Sequence, residues 1–312
     1  MNKKVLYIII PCYNEEEVLA ETAKRLLEKL EDVDYETHIL LVDDGSKDKT
    51  WEIITDLNRK NPTTEGQKTT IEGLKLSRNK GHQNALLAGL MTAKDVCDVC
   101  ISMDADLQDD IGAIDRMLAK YEEGCKVVYG VRSKREKDSF FKKMSAEGFY
   151  KIMKMMGVEL VFNHADYRLM SSEALTALAE FGEVNLFLRG IVPLIGYKSD
   201  IVYYERAERF AGESKYPLSK MLAFAFQGIT SFSIKPIRMI TNLGIIIIIL
   251  SILAIVYAFT FGYDKGWSSI ILSVWILGGL QLFAIGIIGE YIGKIYLETK
   301  HRPKYIVEKW LK

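Results

Sequence analysis

The chain has 312 residues, enough for one large domain with something smaller attached. Its 41 basic and 41 acidic side chains cancel, so overall charge singles out no partner and excludes a strongly basic or acidic class. Hydrophobicity is concentrated instead: 239–263 and 266–289 contain no charged residue, and each exceeds the ~20 residues that cross a bilayer core as a helix.

Residues 5–10 form a continuous apolar run rich in β-branched side chains, as a parallel strand covered on both faces requires. It ends at Pro11-Cys12-Tyr13-Asn14-Glu15-Glu16. Over 15–30, Val18, Leu19, Leu26, Leu27 and Leu30 recur at helical spacing. A second strand over 37–42 ends in Asp43-Asp44-Gly45-Ser46, and Asp48 can cap a helix running to residue 59. The polar stretch 61–73 predicts a surface loop. A third strand, 74–76, ends in Ser77-Arg78-Asn79-Lys80-Gly81-His82, and 83–93 is helical. The fourth, 98–103, stops abruptly at Asp104-Ala105-Asp106-Leu107-Gln108-Asp109. A helix near 111–121 leads to a fifth strand, 126–131, ending at Arg132. This alternation predicts an α/β fold with a doubly wound, mainly parallel sheet.

Two aspartates one residue apart at the C-terminal lip of a strand can share a hard divalent cation. Mg²⁺ or Mn²⁺ takes a few carboxylate oxygens and completes its shell with water and diphosphate oxygens. A lone Asp-x-Asp is equally a solvated acidic turn, so its company decides. Every strand end carries polar or charged residues: Asn14 and Glu15, Asp43 and Asp44, Arg78 and Asn79, Asp104 and Asp106, and Arg132. Open α/β sheets bind ligands at the carboxyl ends of their strands, and five such ends on one edge make a site.

Past Arg132 the composition shifts. Residues 132–154 hold eight basic side chains against three acidic ones, with Phe140, Phe141, Met144, Phe149, Tyr150 and Met153 interleaved. No nucleic-acid motif accompanies the patch, so it reads as a basic amphipathic segment on an anionic membrane surface. Asn163-His164-Ala165-Asp166-Tyr167-Arg168 interrupts the helical pattern with a charged pair. A helix (171–180), an apolar segment (186–196) and a glycine-containing charged loop (206–216) follow. Residues 217–234 alternate apolar and polar, as an interfacial joint before the spans. Lys215, Lys220, Lys235 and Arg238 precede the first span; Lys294, Lys300, Arg302, Lys304 and Lys309 follow the second; Asp264 and Lys265 alone lie between. Positive charge at the outer ends places both termini in the cytoplasm. The expected organisation is a cytoplasmic catalytic domain (1–216), the interfacial segment (217–236), a two-helix transmembrane hairpin (237–294) and a cytoplasmic tail (295–312). Cys97-x-x-Cys100 has no second pair at zinc-site spacing, so Cys12, Cys97, Cys100 and Cys125 read as buried thiols of a reducing compartment.

Six of these stretches resemble, in order, the motifs of the family-2 glycosyltransferases of the GT-A fold. Within that family they resemble the polyprenyl-phosphate glycosyltransferases, such as dolichol-phosphate mannose synthase and the bactoprenol glucosyltransferases. The matching stretches are Ile10-Pro11-Cys12-Tyr13-Asn14-Glu15, Val42-Asp43-Asp44-Gly45-Ser46, Leu76-Ser77-Arg78-Asn79 and Asp104-Ala105-Asp106-Leu107-Gln108-Asp109. Further on stand Ala165-Asp166-Tyr167-Arg168-Leu169 and Arg209-Phe210-Ala211-Gly212-Glu213-Ser214-Lys215-Tyr216. The two spans match the bactoprenol branch. Asp110 stands where the family often has proline, and the Gln-x-x-Arg-Trp motif of processive synthases is absent.

The resemblance implies inverting transfer of a sugar from a nucleotide-sugar to a polyprenyl phosphate such as undecaprenyl phosphate, on the cytoplasmic side of the plasma membrane. It favours UDP-glucose, with N-acetylglucosamine and galactose as alternatives. It implies Mg²⁺ or Mn²⁺ on Asp106, with Asp104 assisting and Gln108 as a further contact. Pro11, Tyr13, Glu15, Asp43, Arg78 and Asp104 match the nucleotide-sugar pocket. Arg132, Lys142, Ser145 and Arg168 match the acceptor-phosphate region. Arg209, Ser214 and Lys215 lie on a loop that could close over the diphosphate, Arg209 being counted with the catalytic group. Asp166 is either a base or a residue that orients Arg168 or the donor sugar. A homo-oligomer stays open, and a flippase and a second glycosyltransferase would act downstream. The alternative is a membrane-anchored enzyme acting on a hydroxyl of a lipid-linked saccharide, with Asp166 as obligatory base.

Overall fold

The computed structural model describes residues 3–62, 68–133, 164–184, 186–205, 229–230, 233–261 and 267–312, which fall into two compact units. The first is built on a sheet. Five of its strands occupy the expected places: β1 (Val5–Cys12), β2 (Glu36–Asp43), β3 (Thr69–Leu76), β4 (Val99–Ser102) and β5 (Val127–Arg132). Three more are β6 (His164–Ser171), β7 (Ser199–Tyr204) and β8 (Val307–Leu311). The order across the sheet is β7-β5-β6-β4-β1-β2-β3-β8.

β4, β1, β2 and β3 pair in parallel, so their C-terminal ends share one edge. β6 enters antiparallel between β4 and β5. Two reversals return β5 to the direction of β4, which brings Arg132 to that same edge. β7 runs parallel to β5 and β8 antiparallel to β3. The α/β expectation of a mainly parallel, doubly wound sheet therefore holds. β1 shows why: Leu6, Ile8, Ile9 and Ile10 are wholly buried, which needs cover on both faces. α1 (Leu19–Leu30), α2 (Thr50–Lys60) and α4 (Ala113–Glu122) supply it on one face, joining Ile8 and Ile10 through Leu19, Leu26, Leu30, Ile54 and Ile114. α3 (His82–Ala93) covers the other so closely that a Cβ on Gly89 would lie 2.4 Å from Ile9 Cγ2. α5 (Ser172–Ala179) begins at a conventional cap, Ser171 Oγ accepting from the Ala174 N–H at 3.2 Å. A short α6 (Leu188–Leu194) follows.

Several boundaries depart from the sequence reading. Residues 69–73, expected in a loop, open β3, because Glu72 is not a surface residue there but is 2 % exposed. α1 starts at Leu19, since 15–18 is a turn with the Val18 and Leu19 N–H groups on the Glu15 carbonyl. Residues 295–312, expected as a tail, are helical to Thr299 and then supply β8, which belongs to the first unit. β8 is five residues with two charges, and its place comes from backbone pairing on an open sheet edge rather than from hydrophobic pattern.

The second unit contains α7 (Lys235–Phe261) and α8 (Trp267–Thr299), which pack on each other. Within α8, Ser273–Thr299 is long and apolar enough to cross a membrane. Trp275 is 78 % and Leu282 72 % exposed, apolar surface of the kind that lipid covers. The Lys294 ammonium bonds Thr230 Oγ1, and Tyr291 Oη–H donates to the Ser233 carbonyl at 2.5 Å. Most of the interfacial segment 217–236 lies outside the described residues, as do Lys142, Ser145, Arg209, Ser214 and Lys215.

Candidate active site

The polar edge has two halves. In the first, Tyr13 follows β1 with its ring 40 % exposed, and Asn14 takes a left-handed φ of 55°. That turn lets Asn14 N–H donate to Ser46 Oγ (3.1 Å) while Asn14 Oδ1 accepts from Lys47 N–H (2.9 Å), tying the ends of β1 and β2 together. Glu15 N–H donates to Thr50 Oγ1 at 2.8 Å. Pro11 is buried in register with Val42.

Asp43 is fully buried, and its Oδ1 accepts from Ser46 N–H at 3.1 Å. Its Oδ2 has no hydrogen-bond partner among the described residues. Burial raises its pKa, with Ser46 opposing. Asp44 clamps the next loop, taking the Lys80 N–H (2.7 Å) and the Gly81 N–H (2.8 Å), and so fixes the turn that presents the exposed Arg78. Gly45 makes the contact possible: its φ is 66°, and a Cβ would lie 2.6 Å from the Asn79 nitrogen.

The second half gathers charge. Asp104 and Asp106 follow β4, with Leu107 in a left-handed conformation (φ 57°) and Gln108 N–H donating to Asp106 Oδ1 at 3.2 Å. The Gln108 side chain is buried. Thr22 Oγ1–H holds the turn by donating to the Ala105 carbonyl at 2.7 Å. Burial, then the carboxylates Asp109, Asp166 and Asp106, push the Asp104 pKa up to about 6 against the opposing pull of His82. Asp109 is buried under Tyr204, whose Oη–H donates to it at 2.5 Å, with Arg132 Nη2 at 3.6 Å. Arg132 Nε also donates to Tyr204 Oη at 3.2 Å.

Asp166, at the same edge on β6, is surrounded by donors. Arg168 Nη2 lies at 2.9 Å from Oδ1, Arg189 Nε at 3.2 Å from Oδ1 and Arg189 Nη2 at 3.2 Å from Oδ2. His82 Nε2 and Gln83 Nε2 each stand 3.4 Å from Oδ2, and His82 also reaches Asp104 Oδ1 at 3.7 Å. Burial alone would raise the Asp166 pKa. Arg189 first, with His82 and Arg168, outweighs it and holds the carboxyl well below the usual carboxylate range. His82 is raised despite burial, through Asp166 and Asp104. A carboxylate so engaged is a poor proton acceptor.

The edge thus brings together Tyr13, Glu15, Asp43, Arg78, Asp104, Asp106, Arg132 and Asp166. It does not present Arg168 to a ligand. That side chain is 1 % exposed, with Nη2 on Asp166 and Nη1 on the Leu188 carbonyl at 3.3 Å, so its expected role at the acceptor phosphate is corrected to an internal one. His82, Tyr204 and Arg189 are additions to the sequence reading. Arg189 had one signal available: it is the only charged residue in the apolar helix α6.

The description Glycosyl transferase family 2 matches residues 7–178, and GtrB C-terminal hairpin matches residues 235–295. The chain belongs to glycosyl transferase family 2. This glycosyltransferase is 53 % identical to the uncharacterized glycosyltransferase YkoT of Bacillus subtilis over 98 % of the chain and 92 % of that relative. It is 39 % identical to the bactoprenol glucosyl transferase of Shigella phage SfV, over 96 % of the chain and 97 % of that relative. Among solved structures, mannosyl-3-phosphoglycerate synthase from Rubrobacter xylanophilus is similar at TM-score 0.46 and 14 % identity, covering 72 % of this chain and 71 % of that one. The GtrB-type hairpin match and the apolar Ser273–Thr299 helix make the glycosyltransferase membrane-associated.

Proposed function

We propose that this family-2 glycosyltransferase moves a sugar from a UDP-linked donor, glucose first, to undecaprenyl or another polyprenyl phosphate, with inversion at the anomeric carbon. The observation that carries the reading is Asp166. Its carboxylate faces two guanidiniums, an imidazole and an amide, and a hydroxyl acceptor would leave it no room to act as base. An acceptor phosphate arrives already ionised near neutral pH and needs none. The nearly full-length similarity to a bactoprenol glucosyl transferase supports the same acceptor class.

For the donor, Tyr13 offers a ring for stacking, and Asp43 Oδ2, buried and with no hydrogen-bond partner among the described residues, would take a base N–H. Pro11, Glu15 and Arg78 complete that pocket. Among the described residues no three His, Cys, Asp or Glu side chains converge as a metal cage. Mg²⁺ or Mn²⁺ needs no cage, since one or two carboxylates plus substrate diphosphate suffice. Asp106, with Asp104 and Gln108, fits this use, and the burial and neighbouring carboxylates that raise Asp104 are what a cation would offset. When bound, the cation neutralises charge on the leaving diphosphate. Arg132, released from Asp109 and Tyr204, would meet the acceptor phosphate together with Lys142 and Ser145. Arg209, Ser214 and Lys215 would close over the diphosphate and exclude water, the competing acceptor.

The catalytic domain (1–216) and both chain ends face the cytoplasm in this reading, with two membrane crossings over 237–294. The glycosylated lipid then passes to a flippase and a second glycosyltransferase, and a homo-oligomer remains compatible.

The test is kcat/KM from about pH 5 to 9 for wild type and Asp166→Asn with undecaprenyl phosphate. Both profiles should share one acidic limb, that of the acceptor's own phosphate. A limb that disappears only in Asp166→Asn, with a loss of roughly 10²–10⁴, would make Asp166 the base and favour a hydroxyl acceptor.

A further inference from the structure

Asp166 has more positive charge against it than a single carboxylate needs. Arg168 reaches it from inside the protein, 1 % exposed, and already forms a buried pair at 2.9 Å. Arg189 reaches it from outside. Its guanidinium straddles both carboxylate oxygens at 3.2 Å, yet the side chain is 33 % exposed on the ligand-facing edge of the sheet.

The backbone leading into Arg189 is pinned at Leu188. Leu188 N–H donates to Gln83 Oε1 at 3.0 Å, and the Leu188 carbonyl accepts from Arg168 Nη1 at 3.3 Å. Leu188, Gly190, Ile191 and Val192 are buried and anchor α6. A long, entropically expensive side chain is therefore held in one place, beside His82 and within the cluster that includes Asp104. Arg168 is 1 % exposed and Arg189 33 %, so Arg189 is the guanidinium of the two that a ligand at this edge can reach. Its planar fork, aimed by a carboxylate, is suited to an anionic oxygen.

We propose that Arg189 binds a phosphate oxygen of the substrates, and that Asp166 is the positioning residue that aims it. This rests on the transfer reading above. A guanidinium matches phosphate geometry through parallel N–H donors, and it remains charged at any working pH. The oxygen comes from the donor's diphosphate or from the lipid phosphate, the two phosphate sources in the reaction. Arg189 takes the place at the edge that the buried Arg168 cannot fill.

The experiment measures equilibrium binding of UDP with Mn²⁺ and, separately, of undecaprenyl phosphate to the full chain in detergent. Arg189→Gln should weaken one of the two by roughly 10- to 100-fold. Loss of UDP affinity assigns Arg189 to the donor side, and loss of lipid-phosphate affinity to the acceptor side. Arg189→Lys keeps charge beside Asp166 but not the fork, and should lose a smaller factor for the same ligand. Asp166→Asn should weaken that ligand in wild type and add nothing in Arg189→Gln, a coupling that general loosening of the fold would not produce. Wild-type affinity for both ligands in whichever Arg189 variant folds would overturn the assignment alone. A wild-type protein that binds neither ligand would overturn the transfer reading, and the assignment with it.

Discussion

Glu72 shows how one side chain can hide a strand and anchor it. On β3 its Oε1 accepts from Tyr7 Oη–H at 2.8 Å and lies 3.1 Å from His38 Nδ1, while Oε2 accepts from Trp310 Nε1–H at 2.9 Å. Tyr7 and His38 stack at 4.6 Å beside it. Burial pulls the Glu72 pKa up, but His38, Tyr7 and Trp310 together bring it below the ordinary carboxylate value of 4.5. A carboxylate depressed in the folded state contributes stability above its unfolded pKa and loses it as pH falls through the folded value. Glu72→Gln should therefore lower the melting temperature of the first unit at pH 7, by an amount equivalent to roughly 1–3 kcal/mol. The gap between variant and wild type should close as pH falls below about 4.5. A gap that is constant from pH 7 to pH 3 would show that the charge of Glu72 plays no part.

At the scale of elements, the same cluster fastens β8. β3 would otherwise be an open edge, and β8 covers it with backbone pairing from Gly73 to Leu76, the Lys75–Glu308 pair at 3.0 Å and the Trp310 indole on Glu72. Trp310→Phe keeps an aromatic ring but removes the donor, leaving a buried carboxylate oxygen of Glu72 one partner short. It should cost roughly 1–3 kcal/mol in thermal unfolding, and combining it with Glu72→Gln should cost less than the two apart. Additive losses would mean that the indole and the carboxylate do not act together. The legible elements were those whose signal is local. β1, β2, β4 and β5 announce themselves by continuous apolar runs, because parallel strands are covered on both faces. The start of β3, all of β6 and β8 carry Glu72, Asp166, Arg168 and Glu308. Glu72 reads as solvent-facing until the sheet supplies Tyr7 and Trp310 from far along the chain, and Asp166 meets Arg189 only through the fold. The candidate site divides the same way. Asp43, Asp104, Asp106 and Arg132 stand at strand ends that spacing alone places on one edge. Tyr204, His82 and Arg189 join them only through packing across β6 and α6, and the burial of Arg168 is invisible without it.

For the whole molecule, the chemistry of the edge and the apolar hairpin point to one kind of acceptor. In the proposed reading the first unit binds a nucleotide and an anionic oxygen, and its carboxylate Asp166 stands against two guanidiniums. The second unit carries a helix, Ser273–Thr299, suited to lipid. A lipid whose reactive end is a phosphate meets both conditions, whereas a lipid alcohol meets only the second. The most direct measurement incubates the full chain in bilayer vesicles with Mg²⁺ and labelled UDP-glucose, UDP-N-acetylglucosamine or UDP-galactose. Undecaprenyl phosphate and undecaprenol are supplied in parallel, and the lipid products are identified by mass. The account predicts a monoglycosylated lipid phosphate from at least one donor and no product from the free alcohol. Transfer to the alcohol, or to a lipid-linked saccharide while undecaprenyl phosphate is left unchanged by every donor, would contradict it.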